Sequence, residues 1–215
     1  GDLGNEGWGY VDSIGADVDP GLLGQRVATL SRASYAEYDI AGADEIVPLP
    51  QELDGRPVPG EPLGCAMNIF GRSGIRPGDR VAIIGIGFLG AMLTQLAAHT
   101  GATVLAISRR AASLQLAERF GADKTIPMND HWKIIEAVSE LTGGRFCSVV
   151  IETAGKQWPL DLAGELCAER GRLVIAGCHQ DGPRQVNMQL WNWRGLDVIN
   201  AHERAPEAYV EGTTD

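Results

Sequence analysis

VAIIGIGFLGAMLTQLAA, residues Val81 to Ala98, decides the fold. Nearly every residue is apolar or small, so a membrane span is the first reading to test. A spanning helix needs roughly 20 apolar residues. Here three glycines fall within the first ten positions, and Thr94-Gln95 follow them. The segment reads instead as a buried strand, a glycine turn and a buried helix. The turn, Gly85-Ile86-Gly87-Phe88-Leu89-Gly90, has the pattern G-x-G-x-x-G. The pattern is weak alone and informative when it closes an apolar strand and opens a helix. Gly85 permits a tight turn, Gly87 lets a pyrophosphate approach the backbone, and Gly90 lets helix and strand pack closely. The free amides at Phe88, Leu89 and Gly90 then face the phosphates along the helix dipole. The competing reading is a plain glycine turn in a packed core.

The chain on either side supports a dinucleotide-binding sheet. RVAIIG, TVLAIS, KTIPM, CSVVIETAG, RLVIAG and LDVINAH are six short strand-like runs. FLGAMLTQLAAHTG, AASLQLAERFGA, HWKIIEAVSELTGG and QWPLDLAGELCAERG are helical and end on glycine. Strands apolar on both faces, alternating with helices, form a parallel sheet covered on both sides. The expected class is α/β, a six-stranded doubly wound Rossmann sheet. Before Asp79 the texture differs. GWGYVDSIGADV, GQRVATLS and YAEYDIAGADEIVPLP are short β-type runs separated by turn signals, and read as part of a small antiparallel β structure. LPQELDGRPVPGEPLG reads as a linker and CAMNIFGRSGI as a short connecting helix. The expected domains are 1–60, 61–205 and a tail at 206–215.

Composition excludes some partners. The 215 residues carry a formal net charge of −10, so neither nucleic acid nor an anionic membrane is favoured. Cys65, Cys147, Cys167 and Cys178 form no CxxC pair, which argues against zinc ribbons and thioredoxin-like chemistry. They read as reduced, mostly buried thiols of a cytoplasmic protein, and no secretory leader is visible at the acidic, Gly-rich start.

Ligands of open α/β sheets bind beyond the carboxyl ends of the strands. An NAD site would place a carboxylate at the end of the second strand. The sequence offers Ser108-Arg109-Arg110 there. A hydroxyl and two guanidiniums suit a 2′-phosphate, which a carboxylate would repel. NADP(H) is therefore expected over NAD(H). Alternatively, one or both arginines merely start the next helix. Two later loops, Glu152-Thr153-Ala154-Gly155 and Ala176-Gly177-Cys178-His179, end strands and could line the nicotinamide side. Ala154, Gly155, Gly177 and Cys178 are the candidate contacts. Cys178-His179 invites a nucleophile–base reading. Sequence neighbours rarely face each other, no orienting acid is evident, and a loop pair beside the cofactor is the preferred reading.

These residues, with GNEGWGYV, GADVDPGLLGQRV, GEPLGCAMNIF, AGKQWPLDLAGELCAERGRLVIAGCHQDGPRQVN and WNWRGLDVINAHER, give the chain a likeness from Gly4 to about Gly212. It resembles the zinc-type medium-chain alcohol dehydrogenase/reductase family. The resemblance implies a partial antiparallel GroES-like β domain before the Rossmann sheet, with hydride transfer between NAD(P)H and an alcohol or carbonyl of a small molecule. It also implies a homodimer through the last strand, 196–202. Just before it, Trp191 and Trp193 alternate as edge-strand residues would; alternatively both pack internally. Both ends of the family's catalytic domain are expected to be absent, together with its proton-relay residues. Where the family carries Gly-His-Glu, this chain has Gly4-Asn5-Glu6, and Glu61 matches a third ligand position of some members. Asn5, Glu6 and Glu61 are thus the candidate catalytic positions. An amide oxygen is a poor substitute for imidazole at zinc, so no catalytic zinc is expected. Tyr35, Tyr38, Glu6, Glu61 and His179 are candidate proton donors, none singled out by spacing. Two alternatives stay open: a cofactor-binding or interaction module without redox turnover, and a natural-product enzyme using the same fold for elimination or isomerisation.

Overall fold

The computed structural model describes residues 4–31 and 33–202. These fall into two compact units, one ending at Asn68 and the other spanning Ile69–His202. The division lies inside a helix, α1 (Gly60–Ser73), rather than at the expected boundary of 60 and 61. The expected tail at 206–215 lies outside the described residues.

The Ile69–His202 unit is built on β4 (Arg80–Ile84), β5 (Thr103–Ser108), β6 (Lys124–Pro127), β7 (Cys147–Glu152), β8 (Cys167–Ile175) and β9 (Asp197–Asn200). All five neighbouring pairs are parallel, in the order β6-β5-β4-β7-β8-β9. The helices α2 (Phe88–His99), α3 (Ala111–Arg119), α4 (His131–Thr142) and α5 (Gln157–Leu166) alternate with the strands. Val81 to Ala98 accordingly divides into β4, a turn and α2, and among the described residues no helix is long and apolar enough to cross a membrane.

Strand side chains alternate between faces, and here each face has its own core. Val81, Ile83, Val104, Ala106, Val149, Ile151 and Val174 belong to one cluster, with Leu93 and Ala97 of α2 and Ala117 of α3. Ala82, Ile84, Leu105, Ile107, Val150 and Leu173 belong to the other, with Ile134 and Val138 of α4 and Leu162 and Leu166 of α5. Burial on both faces is why these strands read as unbroken apolar runs.

Several expected elements differ. The helix expected at CAMNIFGRSGI begins earlier, so the GEPLG end of the expected linker forms the first turn of α1. The helix expected through QWPLDLAGELCAERG stops at Leu166, and Cys167 begins β8. Arg194 explains the stop: its guanidinium donates to the carbonyls of Glu165 (2.6 Å) and Cys167 (2.7 Å). That satisfies orphan acceptors at the helix end. Trp191 and Trp193 lie in a helix, α6 (Met188–Arg194), not on an edge strand. Asn187 caps α6 by accepting the Leu190 amide (3.0 Å), and Trp191 packs on the second core cluster while Trp193 is exposed.

The N-terminal unit carries β1 (Gly7–Tyr10), β2 (Arg26–Thr29) and β3 (Ile46–Pro48), antiparallel in that order. Tyr35 and Tyr38, expected on a β-type run, sit in exposed bends. Arg26 is buried, donates to the carbonyls of Leu53 (2.6 Å) and Arg56, and lies 4.8 Å from the Trp8 ring centroid.

Candidate functional site

The glycine turn has the geometry a phosphate cradle needs. Gly85 has φ +99°, and a Cβ there would stand 2.9 Å from the Thr153 hydroxyl oxygen. A Cβ on Gly90 would fall 2.1 Å from the Gly85 carbonyl oxygen, so no side chain fits where α2 meets the turn. Gly87 is the opposite: it is exposed, and a Cβ would meet nothing within 4 Å. The backbone is therefore accessible at that point, where the α2 amides of Phe88, Leu89 and Gly90 have no intrahelical acceptor. Open space, free donors and a helix N-terminus are the components of an anion site.

Ser108, Arg109 and Arg110 lie next to this turn. The Gly85 amide donates to Ile107 (2.9 Å), which brings the carboxyl ends of β4 and β5 side by side. Ser108 is buried at the end of β5, while Arg109 and Arg110 are exposed. Arg110 is also the residue that starts α3, without a side-chain cap. For Arg110 the helix-start reading and the phosphate reading thus coexist; Arg109 has no such structural duty in α3.

On the other side of β4, the order of strands reverses direction in sequence between β4 and β7. This is the switch point where open α/β sheets bind ligands. Here the two candidate loops interlock. A Cβ on Gly155 would lie 2.4 Å from the Cys178 carbonyl oxygen, and one on Gly177 would lie 2.3 Å from the Gly155 nitrogen. Ala154 and Cys178 are exposed beside them, whereas Gly155 and Gly177 are buried.

The acid not evident for Cys178-His179 in the sequence is Glu152. Its side chain is 0% exposed at the end of β7. Oε1 accepts the Ala154 and Gly155 amides, both at 2.7 Å, and Oε2 lies 3.0 Å from His179 Nε2. Burial pushes the Glu152 carboxyl above its ordinary value, while the Gly155 and Ala154 amides and His179 pull the other way. On the far side of the ring, Arg184 Nε donates to His179 Nδ1 (2.9 Å), and Arg184 also reaches the Gly155 carbonyl (3.0 Å) and Asp181. Asp181 pairs with Lys156 (2.7 Å); Lys156 and then Arg184 hold its carboxyl well below the usual carboxylate range. Glu152 and Arg184 went unassigned in the sequence. The available signal was an ionisable residue ending the otherwise buried strand run SVVIE.

The N-terminal candidates do not gather. Asn5 and Glu6 are exposed, beside Ser34 and Tyr35. Glu61 lies in the first turn of α1, where Oε1 accepts the Cys65 thiol (3.2 Å), and it does not line the cleft of Asn5 and Glu6. Among the described residues no group of three or more His, Cys, Asp or Glu comes together to hold a metal ion. Zinc favours thiolate, imidazole and carboxylate donors, and Asn5 offers an amide oxygen. Of the four cysteines, Cys147 and Cys167 are buried, Cys65 is partly buried and Cys178 is exposed, so the expectation of mostly buried thiols holds for two.

The profile of the zinc-binding dehydrogenase family matches residues 89–211. The chain belongs to this family. It is 28% identical over 176 residues to sorbitol dehydrogenase of Halalkalibacterium halodurans, covering 80% of this chain and 51% of that protein. It is 28% identical over 200 residues to quinone oxidoreductase of Pseudomonas aeruginosa, covering 90% and 61%. A structure described as a zinc-binding dehydrogenase from Sinorhizobium meliloti 1021, bound to NADP, superposes with a TM-score of 0.86 at 27% identity, covering 99% of this chain and 71% of that one. This chain thus spans between about half and three fifths of the two curated relatives' lengths.

Proposed function

We propose that this chain supplies the NADP(H) site of a medium-chain-type oxidoreductase acting on a small alcohol, carbonyl or activated double bond without catalytic zinc. One observation carries the reading. The open backbone at Gly87 and the α2 N-terminus lie beside Ser108 and Arg109, so a pyrophosphate cradle adjoins a hydroxyl and a guanidinium suited to a 2′-phosphate. A family relative at 27% identity was solved with NADP bound, which agrees with the choice. When bound, the nicotinamide would give or take a hydride. The chain's own part is to hold the diphosphate at α2, orient the adenosine ribose through Ser108 and Arg109, and seat the other half over β7 and β8. The zinc-free reading rests on Asn5, and on Glu61 not lining the cleft of Asn5 and Glu6. A homodimer through β9 is part of the proposal, because among the described residues β9 ends the sheet with β8 as its one strand neighbour.

The test is titration with NADPH and NADH, followed by nicotinamide fluorescence, with metal measured by mass spectrometry. NADPH should bind more tightly than NADH. Arg109→Glu should weaken NADPH about 10- to 100-fold, the worth of one charge-assisted contact of about 1.5–3 kcal/mol, and change NADH little. Equal losses for both nucleotides would remove Arg109 from the phosphate site, and stoichiometric zinc would overturn the metal-free reading.

A further inference from the structure

Resting on the NADP(H) reading, we infer that Glu152, His179 and Arg184 are positioning residues for the nicotinamide half of the cofactor, acting through the backbone of Gly177 and Cys178.

The donor inventory supports this. Arg184 has only N–H groups to give. Its Nε donates to His179 Nδ1, so that nitrogen must be the unprotonated one. The ring proton is then on Nε2, aimed at Glu152 Oε2. Glu152 accepts at both oxygens and is therefore the carboxylate. One tautomer and one charge state satisfy the whole chain of contacts. Both ring nitrogens are occupied, which makes His179 a strut rather than a proton donor in this arrangement.

The strut holds a junction with no slack. Loops 153–155 and 176–179 meet backbone to backbone, where neither Gly155 nor Gly177 leaves room for a methyl group. A Cβ on Gly177 would also lie 2.7 Å from Glu152 Oε2 itself. Arg184 closes the junction from the other side by gripping the Gly155 carbonyl and the His179 ring together. A buried carboxylate is expensive unless fully hydrogen-bonded. At this position it fixes the two strand ends that face the second half of a dinucleotide, since the first half is taken by the α2 turn and β5.

Two probes separate the strut from the cofactor reading: NADPH, and 2′,5′-ADP, which carries only the adenosine half. His179→Leu removes both ring contacts. It should weaken NADPH at least tenfold and leave 2′,5′-ADP within twofold. His179→Gln keeps an N–H for Glu152 and an amide oxygen towards Arg184, and should recover NADPH binding to within about threefold. The proposal is overturned if His179→Leu binds NADPH like the unaltered protein. It is also overturned if both probes weaken together, or if Gln fails to restore what Leu loses. If the unaltered protein binds NADPH but not 2′,5′-ADP, the assignment of the adenosine half fails; if it binds neither, the cofactor reading fails and the strut with it.

Discussion

The two compact units differ in how much core they make from similar residues. In Ile69–His202, both faces of β4, β5 and β7 are covered, and Val81, Ile83, Ile84, Ile107 and Ile151 are wholly inaccessible. In the N-terminal unit the buried apolar side chains among the described residues are Val27, Ala28, Val58 and Ala66, while Trp8 and Tyr10 of β1 are 44% and 66% exposed. Between β2, β3 and α1 lies a cavity of about 240 Å³ lined by residues such as Leu30, Val47, Leu53, Leu63 and Met67. Burial, not β-propensity, is what fixes a strand. Strands covered by helices on both faces, as β4, β5 and β7 are, bury nearly every side chain; β1 to β3 bury few.

Glycine substitutions should break this comparison most sharply. Gly90→Val forces side-chain atoms into the Gly85 carbonyl and should destabilise the second unit by about 3 kcal/mol or more, seen as a lower urea midpoint. Gly9→Ala on β1 meets nothing within 4 Å and should stay within about 0.5 kcal/mol. Equal costs for the two would mean that the α2 turn is not closely packed.

Core truncations should show a smaller contrast. Ile151→Ala should cost about 3–4 kcal/mol, and Val58→Ala, which removes less from a looser site, about 1–2 kcal/mol. Native-state hydrogen exchange should protect β4, β5 and β7 amides well beyond those of β1 to β3. Uniform protection across both units would abolish the distinction.

The gentlest probe is alkaline pH. Burial pushes the Cys147 and Cys167 thiols from 9.0 up to about 12, so folding keeps them neutral. A folded value raised above the unfolded one contributes stability below pH 9 and loses it as pH climbs towards 12. The limiting slope is roughly 1.4 kcal/mol per pH step for each thiol. The double variant Cys147→Val, Cys167→Ala should flatten the decline in urea midpoint. An unchanged slope in that variant would place its origin elsewhere.

The same contrast governs what was legible in the sequence. The Val81–Ala98 run, the glycine stops and the paired apolar strands specified the six-stranded sheet because each local preference agrees with burial on both faces. The turn at Gly85 to Gly90 was legible as a strand–helix junction for a related reason: the spacing of its glycines is dictated by backbone geometry. Trp191 and Trp193 misled because alternation over three residues suits a short helix as well as a strand. The end of α5 was hidden because Arg194, distant in sequence, sets it. Glu152 was missed as the acid for His179 because sequence cannot show that two strand ends touch. In the N-terminal unit, Asn5, Glu6 and Glu61 could be named from a motif, but motif membership does not bring side chains together.

The amides that Glu152 occupies give the sheet's carboxyl edge a polarity. At the α2 end, the N–H groups of Phe88 to Gly90 have no acceptors within the helix. At the β7 end, the N–H groups of Ala154 and Gly155 are already engaged by Glu152 Oε1. One end keeps free donors, and the other has its donors engaged by a buried side chain. On the proposed NADP(H) reading, a long ligand with an anionic middle and one neutral end would have a favoured direction along such an edge, set by hydrogen-bond donors before shape is considered.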